Sequence, residues 1–151
     1  MMRLPAEIRA RFRRQGRIGG RARAANMAPA ARRAVARRAV TARWIHKRFG
    51  VANFTAAGLP GGALVDAGLA DLAAGKVTVA SLLISLAAPR LRREGVPLGA
   101  VHDNPEQGLY RLLARRAGDL AHARYGALLR QAVSFADACG RARVDGDRHA
   151  P

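Results

Sequence analysis

The chain of 151 residues holds one cysteine, Cys139, so no disulfide can close within it, and a reducing compartment is the natural setting. Aromatic residues make up only 5%, which leaves a core to be built mainly from Leu, Ile, Val and Ala. The longest apolar run, residues 77–89, falls well short of the roughly 20 residues that a membrane-spanning helix needs. The N-terminus is rich in Arg and poor in acids, as transit peptides are, but it lacks their Ser content and has no apolar signal core. A cytoplasmic protein with no membrane contact is therefore expected. The four histidines and the one cysteine form no zinc spacing. Gly58-x-x-Gly61-Gly62 lacks the Lys-Ser/Thr ending of a phosphate loop. The His–acid neighbours are confined to His102-Asp103 and Asp119/His122, and no carboxylates are paired for acid–base work. No enzyme activity, metal or cofactor is expected, and Cys139 reads as a small core residue.

Acid is scarcest near the start. Residues 1–48 carry 14 Arg and one Lys against Glu7 alone, a balance of +14. Residues 49–151 carry 12 basic and nine acidic side chains, a balance of +3. A block of one sign repels itself unless a polyanion neutralises it, which makes nucleic acid the expected partner. Lysine is nearly missing as well, two against 25 arginines. Guanidinium binds phosphate in a bidentate way and stacks on bases. A GC-rich genome would also raise the Arg/Lys ratio, but it would not place the charge at one end.

Helix signals dominate. Pro5 opens a first short helix with Leu4, Ile8 and Phe12 on one stripe, and Gly16 is expected to stop it. A second short helix is expected over residues 19–26, and Pro29 opens a longer one to about Lys47. Residues 16–23 echo residues 36–43 twenty positions on, with Arg17/Arg37, Ala22/Ala42 and Arg23/Arg43 in register. Small residues at that spacing would let two helices approach closely. Gly58, Pro60, Gly61 and Gly62 mark a linker over residues 50–62. Helices follow at about 63–74, 79–88, 105–117 and 120–139. Gly75 stops the first, Thr78 caps the second, Pro89 breaks it, and Asn104-Pro105 starts the third. In the last, Tyr125, Leu128, Ala132, Phe135 and Cys139 share one face. The fold expected is all-α: a basic helical arm over 1–49, the linker, a helical domain over 63–140 for dimerisation or partner binding, and a disordered tail over 141–151.

On a wheel of 100° per residue, Arg32, Arg43, Lys47, Arg33, Arg37 and Arg48 fall within an arc of about 160°. Ala31, Ala34, Val35, Ala39, Ala42 and Ile45 lie opposite, with Arg38 among them. Trp44 sits inside the basic arc, either to stack on a base, to shelve the arginines, or to dock on the C-terminal domain. The nucleic-acid contacts expected are Arg32, Arg33, Arg37, Arg43, Trp44, Lys47 and Arg48, with Arg17, Arg21 and Arg23 as a second patch. DNA is favoured over RNA because a helix of this width enters the major groove. Nothing on that face resembles the Asn or Gln of base readout. RNA or ribosome association, and a protein module neutralised by an acidic partner, use the same arginines and stay open as alternatives.

Gly16-Arg17-Ile18-Gly19-Gly20-Arg21-Ala22-Arg23-Ala24, then Pro29, Ala36-Arg37-Arg38-Ala39 and Ala42-Arg43-Trp44 resemble a basic Gly-Gly-x-Ala-Arg … Ala-Arg-Trp motif near the N-termini of many small, mostly uncharacterised bacterial proteins. Those proteins usually have Ser or Thr before the proline and Glu soon after. Here Ala28 precedes Pro29 and Ala30-Ala31 follow it, so about 1 kcal/mol of capping is missing. Residues 66–91 and 122–135 also resemble bacterial proteins, some from toxin–antitoxin-like gene pairs, which implies a regulatory or antitoxin-like role.

Overall fold

The structure, a computed structural model, describes residues 5–148. Its regular elements are all helical: α1 (Ala6–Ala25), α2 (Pro29–Phe49), α3 (Gly62–Ala73), α4 (Val79–Arg93), α5 (Pro105–Ala117) and α6 (Ala121–Arg148), with a 3₁₀ turn at Gly118–Leu120 leading into α6. No strand occurs among the described residues. The chain divides into two compact units, Met1–Arg33 and Ala34–Pro151. That division lies inside α2 and not at the Gly/Pro stretch.

In the first unit α1 is one continuous helix. Gly16 does not stop it, because a glycine stop requires a left-handed residue and the chain here stays right-handed through Gly16, Gly19 and Gly20. Each of those glycines weakens a helix by about 1 kcal/mol relative to Ala without ending it. A Cβ added at any of them would meet nothing within 4 Å, and no side chain of α1 is buried.

The second unit is built around α4, which packs against α3, α5 and α6. Its start is locally encoded. The Thr78 side chain accepts the Ser81 N–H at 3.0 Å and the Ser81 hydroxyl accepts the Thr78 N–H at 2.9 Å, a reciprocal capping box. Pro89 does not end this helix, which runs on to Arg93. Leu91 and Val96 beyond the proline are buried in the core, and that burial holds the last turn despite the hydrogen bond a proline forfeits. The helix closes in a Schellman motif: Val96 N–H donates to Leu91 O at 3.0 Å and Gly95 N–H to Arg92 O at 2.9 Å. Asn104 starts α5 as expected, but through a left-handed backbone (φ 45°) and not through a side-chain cap. The apolar face of α6 points inward, with Ala132, Phe135 and Cys139 buried and Tyr125 and Leu128 packed at the margin. The tail expected to be irregular from 141 continues α6 to Arg148, and residues 149–151 lie outside the described residues.

Residues 50–61, in the stretch expected as the Gly/Pro linker, fold into turns. Asp66 of α3 accepts the Phe54 N–H at 3.1 Å, the Thr55 N–H at 2.9 Å and the Thr55 hydroxyl at 2.7 Å. Phe54 is thereby fixed with no exposed surface, ring to ring with Phe135 at 4.8 Å. Gly62 is required beside it, since a Cβ there would stand 2.6 Å from Phe54 O.

Candidate nucleic-acid interface

Continuity of α1 changes its electrostatics. Arg9, Arg13, Arg17 and Arg21 follow one another at four-residue spacing, with Arg14 beside them, and all are exposed. At 1.5 Å per residue the row runs about 18 Å along one face. Arg14, Arg17, Ile18 and Arg21 frame a surface recess. The Arg13 Nε donates to Arg9 O at 3.4 Å, which lays that side chain along the helix. Glu7 is the acid of the first turn. Among the described residues the recorded ion pair is Arg90–Asp137 at 2.6 Å, so no arginine of α1 has an acidic partner there. Arg23 lies off the row. Arg32 and Arg33 at the start of α2 are exposed, and Arg32 Nε donates to Met27 O at 3.3 Å. Arg9, Arg13 and Arg14 were missing from the sequence expectation, because a helix stop at Gly16 cut the row in two.

The rest of α2 belongs to the second unit, where the expected face is rotated. Arg43 and Lys47 are exposed. Arg37 is exposed but lies across Gly99, so close that a Cβ on Gly99 would meet its Cδ and Nε at 3.2 Å. Arg38 reaches α3 and donates to Ala70 O at 3.3 Å. Trp44 is turned inward, edge-on to Phe49 at 6.0 Å and to Phe54 at 6.1 Å. Arg48 follows it, with its guanidinium 5.6 Å from the Trp44 ring and 6.0 Å from that of Phe49. Its Nε and Nη2 are buried without a hydrogen bond, as is Oε2 of Glu94. Trp44 and Arg48 are thus packing residues in this arrangement rather than part of a solvent-facing basic surface. The physical reason is area: a Trp buries far more apolar surface than the alanines that define the opposite arc, while Val35 and Ala39 of that arc remain exposed.

One polar contact had no sequence signal. His102 Nε2 stands 3.1 Å from the Ser81 hydroxyl and 3.2 Å from Lys76 O, while the His102 N–H donates to Ser85 Oγ at 3.1 Å. Ser81 has no exposed surface and donates to Lys76 O at 2.8 Å, so this serine–histidine contact fastens the segment before α5 to the start of α4. Cys139 is also without exposed surface, and burial pushes its thiol up to about 11, against the nearby positive charge of Arg48 and helped by Glu94. Among the described residues no helix is long and apolar enough to cross a membrane. No protein family, curated protein or solved structure matches this chain.

Proposed function

We propose that the protein binds nucleic acid, with DNA favoured over RNA, through the arginine row of α1, and that it serves as a non-enzymatic regulator. The observation that carries this reading is a 20-residue helix with no buried side chain and a file of guanidiniums along one face with no acidic partner among the described residues. A helix that buries nothing has no packing reason to hold Arg9, Arg13, Arg17 and Arg21 in phase, whereas a phosphate backbone does. A continuous helix with an 18 Å file, about the length of several phosphate steps, can enter a major groove or track its edge. Arg43 and Lys47 add cationic charge on the second unit. The contacts are to phosphate, so the binding is weakly selective for sequence. The antitoxin-like side of the regulatory role rests on the resemblance of residues 66–91 and 122–135.

Fluorescence anisotropy of the intact protein with a short duplex DNA, a structured RNA and heparin, across a salt series, tests this reading. With about 6–10 phosphates neutralised, affinity for duplex falls about 10³–10⁵-fold between about 50 and 200 mM salt. The triple variant Arg13→Ala, Arg17→Ala, Arg21→Ala lowers the salt slope by about 3 and weakens binding to every duplex alike. Unchanged binding by that variant would reject the α1 interface. Tighter binding to structured RNA than to duplex would reverse the polymer preference.

A further inference from the structure

In the second unit a groove of about 190 Å³ lies between the later half of α2, α3 and residues 97–100. Ile45, Leu69, Leu72 and Leu98 form its apolar walls. Several acceptors of its polar rim are engaged within the chain. Both carboxylate oxygens of Asp66 are taken by Phe54 and Thr55. Asn53 Oδ1 accepts the Ala56 N–H at 2.7 Å, Ala70 O accepts from Arg38, and Gly99 O accepts from Arg92 at 3.4 Å. The rim also offers donors: the Arg37 guanidinium, which has no acceptor among the described residues, the other N–H groups of Arg38, and the Asn53 amide.

Apolar walls under a rim of donors and positive charge define a complementary ligand. We infer that this groove binds a small organic carboxylate, with an aryl ring or short acyl chain between Leu69 and Leu98 and its carboxylate on Arg37 and Arg38. The size fits, since an apolar cavity of about 150 Å³ holds benzene, and the carboxylate would lie toward the rim. Gly99 is part of the design, because a larger residue there would displace the Arg37 side chain that lies across it. The site does not depend on nucleic-acid binding by α1. Inorganic anions match the guanidiniums but leave the apolar walls unfilled, and neutral aromatics do the reverse.

Calorimetry and amide-resolved NMR on the full chain test this with benzoate, phenylacetate and hexanoate as probes, and with benzamide, hexanol and inorganic phosphate as controls. The carboxylates should saturate one site with a dissociation constant on the order of 0.1–1 mM, moving the amides of Thr41, Leu69 and Leu98. Arg37→Gln, an exposed position, should weaken binding about tenfold or more by removing a charged hydrogen bond. Ala42→Leu, which fills the groove from an exposed helix position, should abolish binding. Arg115→Gln, an exposed position on α5 outside the groove, should leave affinity unchanged. Equal affinity for benzamide and benzoate, undiminished binding by Arg37→Gln, or shifts confined to the arginines of α1 would each overturn the inference.

Discussion

The two units are made of the same secondary structure and are held by different forces. In the first, α1 uses 20 residues and buries none of them. In the second, α3 uses 12 and buries Gly62, Val65, Gly68 and Leu72. Helix formation alone is therefore no sign of a core. Most helical stability in proteins comes from packing, which α1 lacks, and three glycines and a row of like charges weaken it further. Such a helix gains most from a partner that neutralises it, whereas α3 gains from its neighbours in the chain. Removing residues 1–33 breaks the comparison most directly. Affinity for duplex DNA at low salt should fall by at least about 10²–10³, while the melting temperature of the remainder moves by no more than about 2–4 °C. Equal DNA affinity in the truncated protein would show that the first unit is not the binding element.

A pair of phenylalanines sharpens the contrast. Phe135 has no exposed surface and meets Phe54, whereas Phe12 is 63% exposed on α1. Phe135→Ala should lose about 3–5 kcal/mol in denaturant unfolding, by removing buried area and leaving a cavity. Phe12→Ala should stay within about 0.5 kcal/mol. A large loss from Phe12→Ala would mean that α1 packs on something in solution.

Glycines give the next step down. A Cβ at Gly68 would stand 2.4 Å from Ile84 Cγ1 and 2.7 Å from Ala80 O, so α3 and α4 touch only because nothing is there. Gly68→Ala should cost about 1–3 kcal/mol through forced separation of the two helices. Gly20→Ala, in open space on α1, should instead raise helicity and add up to about 1 kcal/mol to that helix. Circular dichroism separates the two responses, and destabilisation by Gly20→Ala would mean that the open surface is covered.

What the residues disclosed in advance follows the same divide. Starts and stops set by a few neighbouring backbone groups were legible: Thr78 as a cap, Gly75 as a stop (φ 70°), Pro105 as a first helical residue. Ends decided by distant burial were not. Pro89 reads as a break until Leu91 is seen in the core, and the Gly58–Gly62 stretch reads as a linker until Asp66 is seen holding Phe54 and Thr55. The candidate interface was legible as charge but not as phase, because ending a helix at Gly16 hid the alignment of Arg9 and Arg13 with Arg17 and Arg21. Trp44 and Arg48 show what a wheel leaves open. A helical wheel sorts residues by charge, but docking is decided by the area a neighbour can cover, and Phe49 and Phe54 are that neighbour. The groove needs α2, α3 and residues 97–100 together, and no local pattern announces it.

The smallest expected effect concerns Cys139, the buried counterpart of the exposed chemistry on α1. Burial favours the neutral thiol, so the folded state holds its proton up to about 11 while the unfolded thiol releases it near 9.0. A pKa raised in the folded state contributes stability that is full below the unfolded value and fades as pH climbs through the folded one. Denaturant midpoints should therefore be insensitive to this thiol at neutral pH and decline between about pH 9 and 11, and Cys139→Ala should remove that part of the decline. Alkylation by iodoacetamide at neutral pH should likewise be slow in the native protein and rapid in denaturant, because the thiolate is the nucleophile and the side chain has no exposed surface. Rapid labelling of the native chain would mean that α6 opens around Cys139 far more readily than its place in the buried cluster with Ile45, Phe54 and Leu91 implies.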